Sequence, residues 1–273
     1  MIISIILLSF YFEKLGYILF FKSFVQKILL SYIDFFLKEK FHSTLQMRIY
    51  FFSLIVPILI MLIVLMLITS KITGILYFML NFVAYVSCTN FALFSDLKND
   101  IIDIKQVVYN YAKGFFASSF WFVVLPGPIG VVIYFILTNV SDRLKVNKQD
   151  LLIYNLVIDK MLFWLNLLPY MLLSCLFALV GNFEQVFFYA IKNFKYKISA
   201  FYLEDFLFEL SLLAVDNKKN IIDDYGYQAI SHYSYIDQNG VDRITALLYR
   251  VTLFFVAIIL ITTVLYNIAL LII

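Results

Sequence analysis

The sequence predicts an all-α, polytopic membrane protein with four to six membrane-embedded helices and further amphipathic helices at its surface. Three observations carry that expectation. Of 273 residues, 63% are hydrophobic and 14% charged, whereas a soluble domain is nearer half apolar and a quarter charged. Several uncharged runs reach the ~20 residues that cross a ~30 Å hydrocarbon core as a helix. The polar segments between them repeat at helical spacing, and none alternates with the period of a strand.

Composition also narrows the partners. A net charge of +3 gives no support for nucleic-acid binding, and membrane lipid is the expected environment. Cys88 and Cys175 lie in apolar stretches, and His42 and His232 have no second ligand near them in sequence. No disulfide framework, metal site or cofactor is expected. The whole chain, 1–273, reads as one membrane domain carrying a polar, mostly helical insertion over 182–246.

In chain order, Met1–Phe10 is apolar, lacks a basic start and a small-residue cleavage site, and is not expected to be a signal peptide. The run resumes after Glu13 and Lys14 as far as Phe21. As a span it would hold a carboxylate near mid-depth, so Glu13 is read as an interfacial charge or a pocket residue. Lys22–Lys40 reads as a basic amphipathic helix resting on the membrane surface. Its apolar stripe is Val25, Ile28/Leu29, Tyr32/Ile33 and Phe36; Lys27, Ser31, Asp34 and Lys38 lie opposite, with Asp34 and Lys38 as an i, i+4 pair.

Ile49–Thr69 is the clearest span, with Pro57 as its only breaker. A turn at Ser70-Lys71 and a second span over Thr73–Phe94 complete a helical hairpin. Ser95–Lys113 reads as a short surface helix, with Ile101, Ile104, Val108 and Tyr111 on one side and Asp103, Gln106, Asn110 and Lys113 on the other.

The next stretch organises the chain. Phe115–Leu137 has no charged residue, yet Pro126, Gly127, Pro128 and Gly130 fall in its middle. Pro128 cannot donate an intrahelical hydrogen bond, and each proline pushes its predecessor, Leu125 or Gly127, out of the α region. The plainer reading is a kinked spanning helix with no site. The sharper one is a broken helix or re-entrant turn facing a pocket, because backbone groups freed at membrane depth must find partners in protein or line a cavity.

A charged connection, SDRLKVNKQD, leads to a long helical pattern from Leu151. Asn155, Asp159 and Asn166 fall close to one helical face; Pro169 interrupts the pattern, and the apolar stretch runs on to Gly181. Asn166 and Pro169 suit a helix packed inside a bundle. Polar groups at membrane depth normally face inward, so the break and this polar stripe are expected to meet in one cavity, with Glu13 at its edge. Beyond Gly181, NFEQVFFYAIKNFKYK and AFYLEDFLFELSLLAV read as two amphipathic helices, while NKKNIIDDYGYQ and YIDQNGVD read as loops with Gly226 and Gly240 as turn residues. A last span covers Tyr249–Ile272. If the first segment does not fully cross and Phe163–Gly181 does, lysine and arginine counts place 22–48, 95–113 and 182–250 on the cytoplasmic side.

Enzymatic signatures are sparse. The chain has no GxxxxGK[ST] loop, Asp223 and Asp224 sit in a Gly/Asn-rich loop that reads as a solvated turn, and no Ser/His/Asp or Cys/His arrangement can be assembled. A transporter would require matching inverted broken helices, and the segments around Pro126 and Pro169 do not match.

Several motifs nevertheless stand in a recognisable order: FEKL at Phe12–Leu15, SDLKND at Ser95–Asp100, SFWFVVLPGPIG at Ser119–Gly130, IDKMLFWLNLLPYML at Ile158–Leu172 and FALVGNFEQVF at Phe177–Phe187, then a lone C-terminal span. This order resembles the AmpE family of bacterial inner-membrane proteins, distant relatives of the CobD/CbiB cobalamin-biosynthesis enzymes. The resemblance implies an accessory or regulatory membrane protein linked to β-lactamase induction and muropeptide recycling, with a cell-wall recycling amidase or another envelope protein as candidate partner. The competing expectation is an ATP-dependent adenosylcobinamide-phosphate synthase of the CobD/CbiB type. Carried over by position, the ligand-binding candidates are Glu13, Lys98, Asn99, Asp100, Trp121, Gly127, Pro128, Asp159, Asn166 and Asn182, together with Pro169 and Gly181. The relatives commonly place an acid where Asn166 stands and an arginine where Met171 stands. Methionine cannot replace arginine's planar fork toward phosphate or carboxylate, so no catalytic residue is assigned and a non-enzymatic role is favoured.

Overall fold

The structure is a computed structural model that describes residues 1–14, 19–36, 44–89, 104–146, 152–197, 203–215 and 238–272. All described elements are helical and no strand occurs among them. In chain order they are α1 (Ile2–Lys14), α2 (Leu19–Phe36), α3 (Thr44–Ile72), α4 (Gly74–Cys88), α5 (Ile104–Asn110), a π-helical segment (Tyr111–Ala117), α6 (Ser118–Val124), α7 (Pro128–Val146), α8 (Leu152–Val180), α9 (Phe183–Lys197), α10 (Leu203–Val215) and α11 (Gln238–Ile272). Three stretches are long and apolar enough to cross a membrane: Phe52–Ile72, Lys160–Val180 and Asp242–Ala269.

The chain divides into two compact units, one made of Met1–Phe91 with Ala117–Asn166, the other of Ala92–Phe116 with Leu167–Ile273. In the first, α4 is the hub, touching α1, α2, α3, α6 and α7. Its buried residues Asn81, Tyr85, Val86, Ser87 and Cys88 include two polar side chains. By contrast α3 turns Phe52, Ile60, Met61 and Leu67 outward. An apolar exterior around polar interior contacts is the pattern that lipid, rather than water, selects.

The α3–α4 hairpin turns at Thr73, later than the Ser70-Lys71 expected from the sequence. Ser70 and Lys71 remain helical, with Ser70 Oγ donating to Leu67 O at 3.0 Å within the helix. Thr73, extended and with its hydroxyl accepting from Leu76 N, caps α4. The expected span Thr73–Phe94 is helical only to Cys88, where extended Thr89 ends it; residues 90–103, with SDLKND, lie outside the described residues.

On α2 the expected faces largely hold: Ile33 is buried and Val25, Leu29, Tyr32 and Phe36 are half-buried, while Lys27 and Ser31 are exposed. Ile28 departs from this, pointing outward with Phe24 and Phe35, and Lys22 is buried. Gln26 Nε2 donates to Ser87 O at 2.9 Å and Tyr32 Oη to Leu54 O at 3.1 Å, holding the inward side on α4 and α3. Asp34 pairs with Arg143 of α7; Lys38, its expected partner, lies outside the described residues.

In the second unit α10 is the centre, in contact with α5, α9 and α11. Expected to be amphipathic, it instead buries residues around most of its circumference, among them Leu203, Phe206, Glu209, Leu213 and Ala214, while Asp205 stays partly exposed and pairs with Lys105 of α5. Two further expectations shift. Gly240, expected in a loop, lies in the first turn of α11. Cys175, expected to be buried, is exposed, while Cys88 is buried. Along α5 and the π-helical segment, Val107, Val108, Tyr111 and Ala112 are buried and Gln106 and Asn110 exposed. That segment runs on without interruption into α6, so it is not a separate surface helix. His42, His232, Asp223, Asp224 and Gly226 fall outside the described residues.

Candidate functional site

The Pro-Gly-Pro-x-Gly stretch breaks the helix completely. Leu125, ahead of Pro126, is extended with φ −95° and ψ 156°, and its N–H still donates to Trp121 O at 3.0 Å. Gly127 takes the left-handed conformation, φ +56°. Pro128 then occupies the first position of α7, where its missing N–H leaves no bond unmade. The break is sharper than a kink. Nine residues of unbroken helix would separate positions 121 and 130 by about 13.5 Å, yet a Cβ at Gly130 would overlap the Trp121 carbonyl oxygen and stand 2.9 Å from Leu125 Cβ. The chain therefore folds back on itself, and Phe115–Leu137 is not one crossing helix.

Two α4 residues hold this corner. Tyr85, fully buried, shares a 2.7 Å hydrogen bond with Ser119 Oγ, and its ring lies 4.6 Å from that of Phe122. Asn81, also fully buried, donates from Nδ2 to Tyr77 O at 2.7 Å. Its Oδ1 occupies the space a Cβ at Gly127 would need and has no hydrogen-bond partner among the protein atoms. A buried acceptor left in that state costs about 1–3 kcal/mol. Met66 Cε lies 3.8 Å from the same hypothetical Cβ.

The first turns of α8 in this unit close the other side. Trp121 Nε1 donates to Leu165 O at 3.1 Å, and Tyr134 Oη of α7 donates to Asn166 Oδ1 at 2.8 Å. The Leu165 carbonyl is available for a chemical reason. A helical carbonyl normally receives the N–H four residues on, but that residue is Pro169, which has none. The indole supplies the missing donor.

Of the residues expected at the site, Trp121, Gly127, Pro128 and Asn166 thus share the first unit and gather around the α6–α7 corner. Asn182 belongs to the second unit. Its Oδ1 accepts from Gln185 N at 3.4 Å at the start of α9, and its N–H donates to Ala214 O at 3.2 Å. Gly181 beside it is required by proximity, since a Cβ there would stand 2.6 Å from both Cβ and O of Ala214. Glu13 lies near the end of α1, and Asn155 and Asp159 lie on α8, with their side chains outside the described residues. Lys98, Asn99 and Asp100 lie wholly outside them. Motif reading passed over Asn81, Tyr85 and Tyr134. The available signal was a single amide, Asn81, in the otherwise apolar sequence of α4.

The described members of this group are neutral: an indole, two phenols, two amides and a hydroxyl. They can satisfy broken backbone and recognise hydrogen-bonding groups. Among them there is no carboxylate, imidazole, amine or thiol, and no metal-binding group of His, Cys, Asp and Glu forms among the described residues. Compared with protein-family models, with curated proteins and with solved structures, the chain gives no match.

Proposed function

We propose that this protein is a multi-pass component of the bacterial inner membrane, with four to six membrane-embedded helices, acting as an accessory or regulatory factor of AmpE type. In this role it serves β-lactamase induction and muropeptide recycling through a recycling amidase or another envelope protein. The observation that carries the reading is the neutral hydrogen-bonded seam around the Pro126–Gly130 corner, where Trp121 serves the carbonyl orphaned by Pro169. Such a seam suits binding or conformational signalling. Phosphoryl transfer from ATP would instead need cationic or metal clamps on developing charge. The position where the synthase relatives carry arginine is Met171, which is exposed.

Complementation separates the two roles. Expressed in a strain lacking cobinamide-phosphate synthase, with membrane insertion verified, the protein should fail to restore corrinoid-dependent growth. Expressed in a strain lacking AmpE, it should restore that strain's response to β-lactam. Rescue of the first strain would overturn the reading.

A further inference from the structure

Helix α9 has its chemistry reversed relative to a helix that faces water. Its inward side carries Gln185, Val186, Tyr189 and Asn193. Tyr189 Oη donates to the buried Glu209 at 2.6 Å, Asn193 Nδ2 donates to Tyr189 O at 3.1 Å, and Gln185 Oε1 is buried with no hydrogen-bond partner. Its outward side carries Phe183, Phe187, Phe188 and Ile191, 44–65% exposed. The rings of Phe183 and Phe187 stack at 5.1 Å, making one continuous apolar strip. In water this arrangement would expose aromatic surface while burying amide and phenol groups, the costly choice on both faces.

We propose that α9 is an in-plane helix whose Phe183/Phe187/Phe188/Ile191 strip sits at the boundary between the headgroups and acyl chains of a phospholipid bilayer. Position and charge select lipid as the occupant. Only Gly181 and Asn182 separate α9 from Lys160–Val180, a stretch able to cross the membrane, so the helix starts where the chain leaves the hydrocarbon. Glu184 lies within the exposed face, one turn before Phe188, and Lys192 lies at its edge; both are exposed, which keeps the helix at the interface rather than in the acyl core. Lys192, toward the C-terminal end of the helix, is exposed and complements lipid phosphate. This inference rests on the proposed membrane location of the chain, and the α3 reference label separates failure of that reading from failure of the inference.

The full chain carrying Cys88→Ala and Cys175→Ser receives a single cysteine by Phe188→Cys, Ile191→Cys or, as a reference on α3, Ile63→Cys. Each is labelled with a nitroxide and reconstituted into vesicles of phosphatidylcholine and phosphatidylglycerol, 3:1 as an order-of-magnitude mixture with anionic headgroups. Collision rates with oxygen and with a water-soluble nickel chelate are read by power saturation. At 188 and 191 the oxygen-to-nickel ratio should exceed that of free label in buffer about threefold, and stay below the value at 63, as a shallow position requires. A ratio at 63 no higher than in buffer would overturn the membrane reading itself. A lipid-like ratio at 63 with a water-like ratio at both 188 and 191 would overturn the α9 proposal alone. Low collision with both reagents at 188 and 191 would also overturn it, because a second copy or another protein would then cover the strip. Either α9 label suffices if the other variant fails to insert.

Discussion

The indole of Trp121 donates to the carbonyl of Leu165 at 3.1 Å, the carbonyl that Pro169, four residues on, has no N–H to serve. An interior proline and a distant tryptophan thus form a complementary pair, one creating an orphan acceptor within a helix and the other satisfying it. Trp121→Phe keeps most of the apolar bulk and removes the donor. Unfolding in detergent, followed by circular dichroism, should show a loss of about 1–3 kcal/mol. The same change made with Pro169→Ala should cost at least about 1 kcal/mol less, because alanine restores the helical N–H. Equal costs in the two backgrounds would show that the indole does not answer to the proline.

Gly127 is constrained twice, by its positive φ and by Asn81 Oδ1 in the place of a Cβ. Gly127→Ala should therefore cost more than the ~1–2 kcal/mol of a left-handed alanine alone. Combining it with Asn81→Ala should recover the collision part and leave the backbone part. If the double variant is no more stable than the sum of the two singles, the two residues do not meet as described.

Gly130 and Gly74 make a matched contrast. A Cβ at 130 would overlap the Trp121 carbonyl oxygen, a backbone atom with no rotamer to yield, whereas nothing lies within 4 Å of one at 74. Gly130→Ala should open the α6–α7 corner and speed proteolysis there, with a stability loss of about 1–3 kcal/mol for the overpacking. Gly74→Ala, in the first turn of α4, should be neutral to within ~0.5 kcal/mol. Equal protease sensitivity of the two variants would argue against the fold-back.

In the second unit, Tyr189 donates to Glu209 at 2.6 Å, with Glu209 only 8% exposed. Tyr189→Phe should destabilise by about 1.5–3 kcal/mol, the range for a hydrogen bond to a charged group. Glu209→Gln keeps an acceptor oxygen for the phenol and should cost less. A larger loss for Glu209→Gln than for Tyr189→Phe would place the importance of Glu209 in its other contacts.

Much was written in the sequence alone, because one-dimensional chemistry decides it. Helix length and the scarcity of charge mark Phe52–Ile72, Lys160–Val180 and Asp242–Ala269 as long and apolar enough to cross a membrane. Prolines and glycines at 126–130 dictate a break, since a missing N–H and a forbidden φ are local properties of those residues. What completes the break needed tertiary structure. No spacing rule joins Trp121 to Leu165, Tyr134 to Asn166 or Asn81 to Gly127, because each pair comes from different helices whose docking is set by the shapes of all their side chains. The same limit explains α9. Periodicity shows that a helix has two unlike faces, but an apolar face turns inward in water and outward in lipid. Only the contact of Tyr189 with Glu209 decides that in α9 the polar face points in.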